Sequence, residues 1–337
     1  MPSNDAVAEV GLHSVPSMLD LVRLSTQRLF PPGGRELYRQ IALLTEMSPD
    51  HEVLDVASGK GVPLGYFVKE FGVTASGVDI DPTMVEEAEA WSRAEGIADR
   101  LQFQTGRSDA LPYRDQIFDI TIGEIGLSSH CAPQDAIGEM VRVTKTGGFV
   151  VLVQLVWKAP VDEARRAVLS DHLGARPLMV VEWRRLLREA GVEDIHVEDW
   201  SDEETSFRPT VVKPFPDFAE LFTLGERLAI LRRAWRRWGW RGVCSAIARE
   251  SEVHKLLTNE RILGLDLLRG RRAGAETVSP GTSGEGGTEE AEIAASVSSL
   301  PDAAETNTED DRGGSEADTA GLPLFGGDGT SAPKSRD

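Results

Sequence analysis

Cysteine, lysine and long apolar runs are scarce in this 337-residue chain: it has two cysteines, Cys131 and Cys244, and 7 lysines against 29 arginines. Two thiols cannot build a disulfide framework, a four-cysteine zinc site or a three-cysteine iron-sulfur cluster. The expected compartment is therefore the reducing cytoplasm, and radical chemistry on a bound cluster is excluded. His130-Cys131 has no second pair of ligands at metal spacing, so no metal site is expected. The longest apolar stretch, Phe149 to Trp157, is broken by Gln154 and falls well short of the roughly 20 residues that a membrane-spanning helix needs. Asp5 and Glu9 stand where an export signal carries bases, so no export is expected.

Acidic residues are plentiful, with a formal net charge of −19, but they are unevenly placed. Residues 272–337 hold 14 acidic and 4 basic side chains, a net −10, which leaves −9 for residues 1–271. That last segment is rich in Gly, Ser, Thr, Glu, Asp and Ala, with only isolated apolar residues such as Ile293 and Leu300. It cannot bury enough surface to offset its ordering entropy, and it reads as a disordered acidic tail.

Periodicity in the remainder alternates between strands and helices. Helical patterns over Ser17–Phe30 and Arg35–Glu46 flank a Pro31-Pro32-Gly33-Gly34 turn. Strands follow at Glu52–Ala57, Val73–Asp79, Leu101–Gln104, Ile117–Ile122, Phe149–Val156 and Val192–Val197, with helices through Phe71, from Pro82 to Glu95, over Pro133–Val143 and over Val180–Ala190. This is βαβ punctuation, which implies an α/β fold with a parallel sheet. Residues 205–258 are mostly helical and interrupt it, and Ile262–Arg269 reads as a final strand. The expected organisation is N-terminal helices over 1–50, a core over 51–204, a helical insertion over 205–258, the last core strand within 259–271 and the tail from 272.

The stretch that carries chemistry is Val53-Leu54-Asp55-Val56-Ala57-Ser58-Gly59-Lys60-Gly61, a buried-type strand entering a small-residue turn before a helix. Such a turn lets backbone approach a ligand at the carboxyl edge of the sheet. Eighteen residues beyond Gly61, the strand Gly77-Val78-Asp79 ends in a carboxylate suited to the two hydroxyls of a ribose. A glycine turn with a distant Asp also fits a nicotinamide dinucleotide. Asp55 tilts the choice, because a carboxylate beside the turn repels a pyrophosphate and suits an ammonium group.

These residues resemble the class I S-adenosyl-L-methionine (SAM)-dependent methyltransferases, particularly the branch of ubiquinone/menaquinone-biosynthesis and other small-molecule methyltransferases. The resemblance runs from about Pro31 to Val197. It rests on Val53–Gly61, on Gly77–Pro82, on Asp109–Tyr113 followed by Ile117–Ile120, and on Glu139–Gly148, in the family's order. It implies a Rossmann-like sheet of seven strands with the last antiparallel, SAM as cofactor, and methyl transfer to O, N or C of a small-molecule acceptor. It also implies that Asp55, Ala57, Gly59 and Gly61 line the methionine side, that Asp79 holds the ribose and that Ile80 packs on the adenine. Ala57 stands where the family usually has Gly, and Thr146 where Pro usually precedes the two glycines. Arg107 stands where an Asp commonly meets the adenine amine, so Ser108 or Asp109 is the expected adenine contact. Glu124 and His130, just beyond the fourth strand, are the expected substrate-side groups, His130 with a side chain suited to proton removal near neutral pH. In similar enzymes N-terminal helices close over the cofactor, which adds Gly34 and Tyr38 as contacts.

Between residues 226 and 241 six arginines face one acid, Glu226, and are interleaved with Trp235, Trp238 and Trp240. Two readings stand for this segment: a lid with Trp235 and Trp238 turned to the acceptor and Arg233 and Arg237 to solvent, or a basic surface that touches a membrane carrying a quinone or lipid acceptor. Nucleic acid is not an expected partner of so acidic a domain. A nicotinamide-dependent oxidoreductase and a non-catalytic nucleotide-binding protein are the rival functions.

Overall fold

Short β-branched and leucine-rich strands alternating with amphipathic helices give a three-layer architecture. The computed structural model describes residues 16–201, 223–254 and 262–274. Helices α1 (Met18–Arg23) and α2 (Gly34–Leu44) precede the sheet. There follow β1 (Glu52–Val56), α3 (Val62–Phe71), β2 (Thr74–Asp79), α4 (Pro82–Ala94), β3 (Leu101–Thr105), β4 (Phe118–Gly123), α5 (Pro133–Val143), β5 (Thr144–Trp157), α6 (Glu163–Leu173), β6 (Leu178–Met179), α7 (Val180–Glu189), β7 (Val192–Asp199), α8 (Leu224–His254) and β8 (Leu263–Arg272).

The sheet runs β3-β2-β1-β4-β5-β8-β7, with β6 paired to the end of β5. Strands β1 to β6 pair in parallel, whereas β8 is antiparallel to both β5 and β7. The expected seven-stranded sheet with an antiparallel last strand is thus present, widened by the two-residue β6. Successive residues of β1 divide between the layers. Val53 packs with Leu37, Ile41, Leu64 and Phe67 of α2 and α3, while Leu54 and Val56 pack with Ile137, Met140, Trp183 and Leu187 of α5 and α7. Burying each such side chain contributes about 1.5–3 kcal/mol, and this two-sided burial makes the strands read as near-continuous apolar runs.

Several boundaries differ from the sequence reading. The first helix stops at Arg23 instead of running to Phe30, because Ser25 and Thr26 turn out to bond Glu226 Oε1 of α8. Helix α6 has no counterpart in the periodicity. Its apolar anchors are few, Leu169 and Leu173 being the buried ones. The last strand extends through Arg272, which pairs with Val192 and donates to the carbonyls of Arg142 and Thr144, so the sheet claims a residue assigned to the tail. The tail from 275, and residues 205–222 and 255–258 of the insertion, lie outside the described residues.

Candidate active site

Because β1 to β4 are parallel neighbours, their carboxyl ends deliver Ala57, Asp79, Gly106 and Glu124 to one edge. The turn after β1 is fixed by backbone bonds. Ala57 and Ser58 N–H both donate to Val78 O, at 2.8 and 3.0 Å, and Gly61 N–H donates to Ser58 O at 2.9 Å. Gly61 has φ +70°, and a Cβ there would strike the Phe103 ring, so steric and backbone demands coincide on glycine. Ala57 adopts φ +65° with a methyl group, a conformation in which an L-residue is strained. That explains why glycine is usual at this position.

Asp79 is buried and braced on both oxygens: Oδ2 accepts from Gly59 N–H at 2.8 Å and Oδ1 from Asp81 N–H at 2.9 Å. Its carboxylate is therefore aimed before any ligand arrives. Asp55 differs, since it is fully buried and neither oxygen has a hydrogen-bond partner. Burial, and then the neighbouring Glu124 and Asp79 charges, push its carboxyl well above the ordinary range. Glu124, also buried, accepts from Tyr38 Oη at 2.8 and 2.9 Å, and burial pushes it up to about 7. Burial and these acids raise the Tyr38 phenol as well. Asp55 and Glu124 are thus two neighbouring buried acids held towards their neutral forms, and a cation brought beside them would favour their ionised forms.

The cleft on the other side of Asp79 is lined by Ile80, Gly106, Arg107, Ser108, Asp109 and His130. Arg107 does not reach into a ligand position freely: its Nε and Nη2 grip Asp109 at 2.8 and 2.7 Å, and this pairing holds the Asp109 carboxyl below its usual range. Ser108 donates to Leu127 O at 2.7 Å. The Asp109 carboxylate and the Ser108 proton are both engaged within the chain.

Of the two substrate-side candidates, the structure separates one from the other. Glu124 turns towards α2 and lines neither cleft, because the chain leaves β4 in an extended conformation that carries its side chain to Tyr38. His130 lines both the cleft beside Asp79 and a larger one of about 780 Å³ formed by α1, α6, the segment before β6, and α8. Burial and then the Arg23 charge lower its pKa. Arg23 also borders both clefts, and nothing in the local sequence singles it out.

Helix α8 rests on α1 and α6, with Ala234, Val243 and Leu21 buried together. Gly239 breaks its helical geometry at φ +71°, ψ −174°. Trp238 and Arg237 line the larger cleft, Arg237 stacking on Trp238 at 4.9 Å. Trp235 is instead exposed, and Arg233 turns inward to donate to Leu24 O at 2.7 Å, so both reverse the orientation expected of them.

Residues 53–148, from β1 through the turn before the buried part of β5, match a family model described as a methyltransferase domain. Methyltransferase GfsG of Streptomyces halstedii is 30% identical over 210 residues, covering 60% of this chain and 74% of that protein. The chain belongs to the class I SAM-dependent methyltransferases. The ubiquinone/menaquinone biosynthesis C-methyltransferase UbiE of Ruegeria sp. (strain TM1040) is 36% identical over 107 residues, 32% of this chain and 43% of that one. Phosphoethanolamine N-methyltransferase 2 of Haemonchus contortus, solved in complex with SAM, shares the fold with a TM-score of 0.57 at 15% identity, over 80% of this chain and 60% of that chain.

SAM is the cofactor of this family, and the residues at the sheet edge fit it. The unpartnered Asp55 oxygens suit a methionine ammonium, the braced Asp79 suits ribose hydroxyls, and the space beside the Gly59 Cα is open.

Proposed function

We propose that this methyltransferase acts on a small-molecule acceptor that enters the cleft between α1, α6 and α8 and presents an O, N or C nucleophile beside His130. The observation that supports this reading is the position of His130 on the wall common to both clefts. In this reading Asp55 and Glu124 hold the ammonium end of the cofactor, Asp79 the ribose, Ile80 the adenine face, and Ser108 and Asp109 the adenine rim. When bound, SAM supplies a methyl group already activated by its sulfonium. The protein's part is to align the acceptor and to take up a proton. An imidazole whose pKa lies below its ordinary value is neutral at pH 7 and able to accept one.

The N-terminal helices are the proposed cover of the cofactor. Lys60 in the glycine turn bonds Ser25 O, and Arg28 donates to Lys60 O at 2.8 Å, which ties the segment after α1 to that turn. A second reading, an acceptor held in a membrane, draws on the outer face of α8, where Leu228, Trp235 and Trp240 are exposed beside Arg232, Arg236 and Arg241. Among the described residues no helix is long and apolar enough to cross a membrane.

The test is transfer of labelled methyl from SAM to a cell-extract metabolite pool by the full chain and by His130→Ala. Loss of a proton acceptor should lower turnover at least about a hundredfold while SAM affinity changes less than about twofold. Absence of any labelled product from the wild type would contradict the enzymatic reading. Equal losses in turnover and SAM affinity would move His130 to the cofactor. Product that forms only from a vesicle-bound fraction would favour the membrane reading.

A further inference from the structure

In a chain whose first 271 residues carry a net −9, the larger cleft gathers four arginines, Arg23, Arg166, Arg176 and Arg237. Their partners set them apart from one another. Arg166 is occupied, donating to Val161 O at 3.0 Å and lying 3.8 Å from Glu182. Arg23, Arg176 and Arg237 make no hydrogen bond or ion pair among the described residues, and Arg237 only stacks on Trp238. Three carboxylates share the wall, and none of them forms an ion pair with Arg23, Arg176 or Arg237. Asp20 accepts from Ser17 N and Oγ at 2.9 and 2.8 Å, Asp171 has an interaction of its own, and Glu163 sits exposed in the first turn of α6. Elsewhere in the domain Arg35 is matched with Glu70, Arg107 with Asp109 and Arg142 with Glu139 and Asp115, and what sets the three unmatched arginines apart is that they line one cleft.

Resting on the methyltransferase reading, we infer that the acceptor is a small anion, a phosphate or carboxylate attached to an apolar or aromatic body. Its charged group is held by Arg176 and Arg237, its body lies against Trp238, and Arg23 draws it towards His130. Guanidinium groups grip phosphate and carboxylate oxygens in bidentate fashion, and a cleft wall concentrates their field. Trp238 supplies a flat apolar surface on which Arg237 already stacks.

The experiment titrates the full chain, with and without S-adenosylhomocysteine, with phenyl phosphate, inorganic phosphate and the uncharged comparator phenol. Phenyl phosphate should bind most tightly and phenol least. In the Arg176→Gln/Arg237→Gln double variant, whose sites are exposed and tolerate substitution, phenyl phosphate should weaken at least about tenfold while S-adenosylhomocysteine changes less than about twofold. The control Arg232→Gln/Arg236→Gln alters exposed arginines of α8 outside the cleft and should leave phenyl phosphate binding unchanged. Phenol binding as tightly as phenyl phosphate, or equal weakening in both double variants, would overturn the proposal. Failure of S-adenosylhomocysteine to bind the wild type would instead contradict the cofactor assignment, and the phenyl phosphate series without it still decides the charge preference.

Discussion

The sheet edge around Asp79 and the cleft between α1, α6 and α8 meet at His130 and Arg23, yet they are built on opposite plans. At the edge the acids are buried and positioned by one continuous parallel block, with Asp79 braced by two backbone N–H groups and Asp55 buried with both oxygens unpartnered. In the cleft four arginines face three carboxylates, and three of the arginines are side chains without a hydrogen bond or ion pair among the described residues, brought from α1, the segment before β6 and α8. The difference teaches how one molecule separates two tasks. In the proposed reading a cofactor that never changes is met by a preorganised cradle, and an acceptor by side chains that have no partner of their own.

If the edge is as rigid as its bonding suggests, it should tolerate little change. The largest effect is expected for Gly61→Ala, which forces an L-residue to φ +70° and drives a methyl into the Phe103 ring. The left-handed conformation and the overpacking together should cost about 3 kcal/mol, a fall of roughly 6–12 °C in melting temperature. Thermal unfolding by circular dichroism measures it, and a change under about 2 °C would mean that the turn and ring relax freely. The smallest effect should be a gain: Ala57→Gly relieves the φ +65° methyl and should stabilise by about 0.5–1 kcal/mol. A loss of stability there would show that the Ala57 methyl contributes more by packing near Gly126 than it costs in strain.

The two regions were unequally legible in the sequence for the same reason. Asp55, Gly59, Gly61 and Asp79 belong to strand-turn-helix units in which spacing along the chain fixes position in space, so the motif and its geometry are nearly one statement. Glu124 was legible as an edge residue, but its turn towards Tyr38 was not, since that depends on α2 packing across the sheet. Arg23 and Trp238 lie more than two hundred residues apart and meet only because α8 lies on α1. The orientation of Trp235 and Arg233 was not legible because simple helical spacing carries no information about which face α1 covers. Helix α6 was missed because its apolar face is narrow, with Leu169 and Leu173 as its buried anchors.

The claim at the centre of this account is the proposal that the buried acids Asp55 and Glu124 meet the cationic end of SAM. Glu124, raised from 4.5 to about 7, keeps its proton in the folded chain at pH 6, where an unfolded glutamate has lost it. Its contribution to folding stability is therefore full at low pH and fades as pH rises from about 4.5 to about 7. Binding a cation reverses this preference, so the ligand must displace a proton. Calorimetric titration of SAM at pH 5, 6 and 7, in buffers of different ionisation enthalpy, reads both affinity and proton exchange. Over this range the ligand's ammonium stays charged. The account predicts tightening by up to about tenfold per pH unit, with release of up to about one proton per SAM at pH 6. Affinity that is flat with pH and accompanied by no proton release would contradict it.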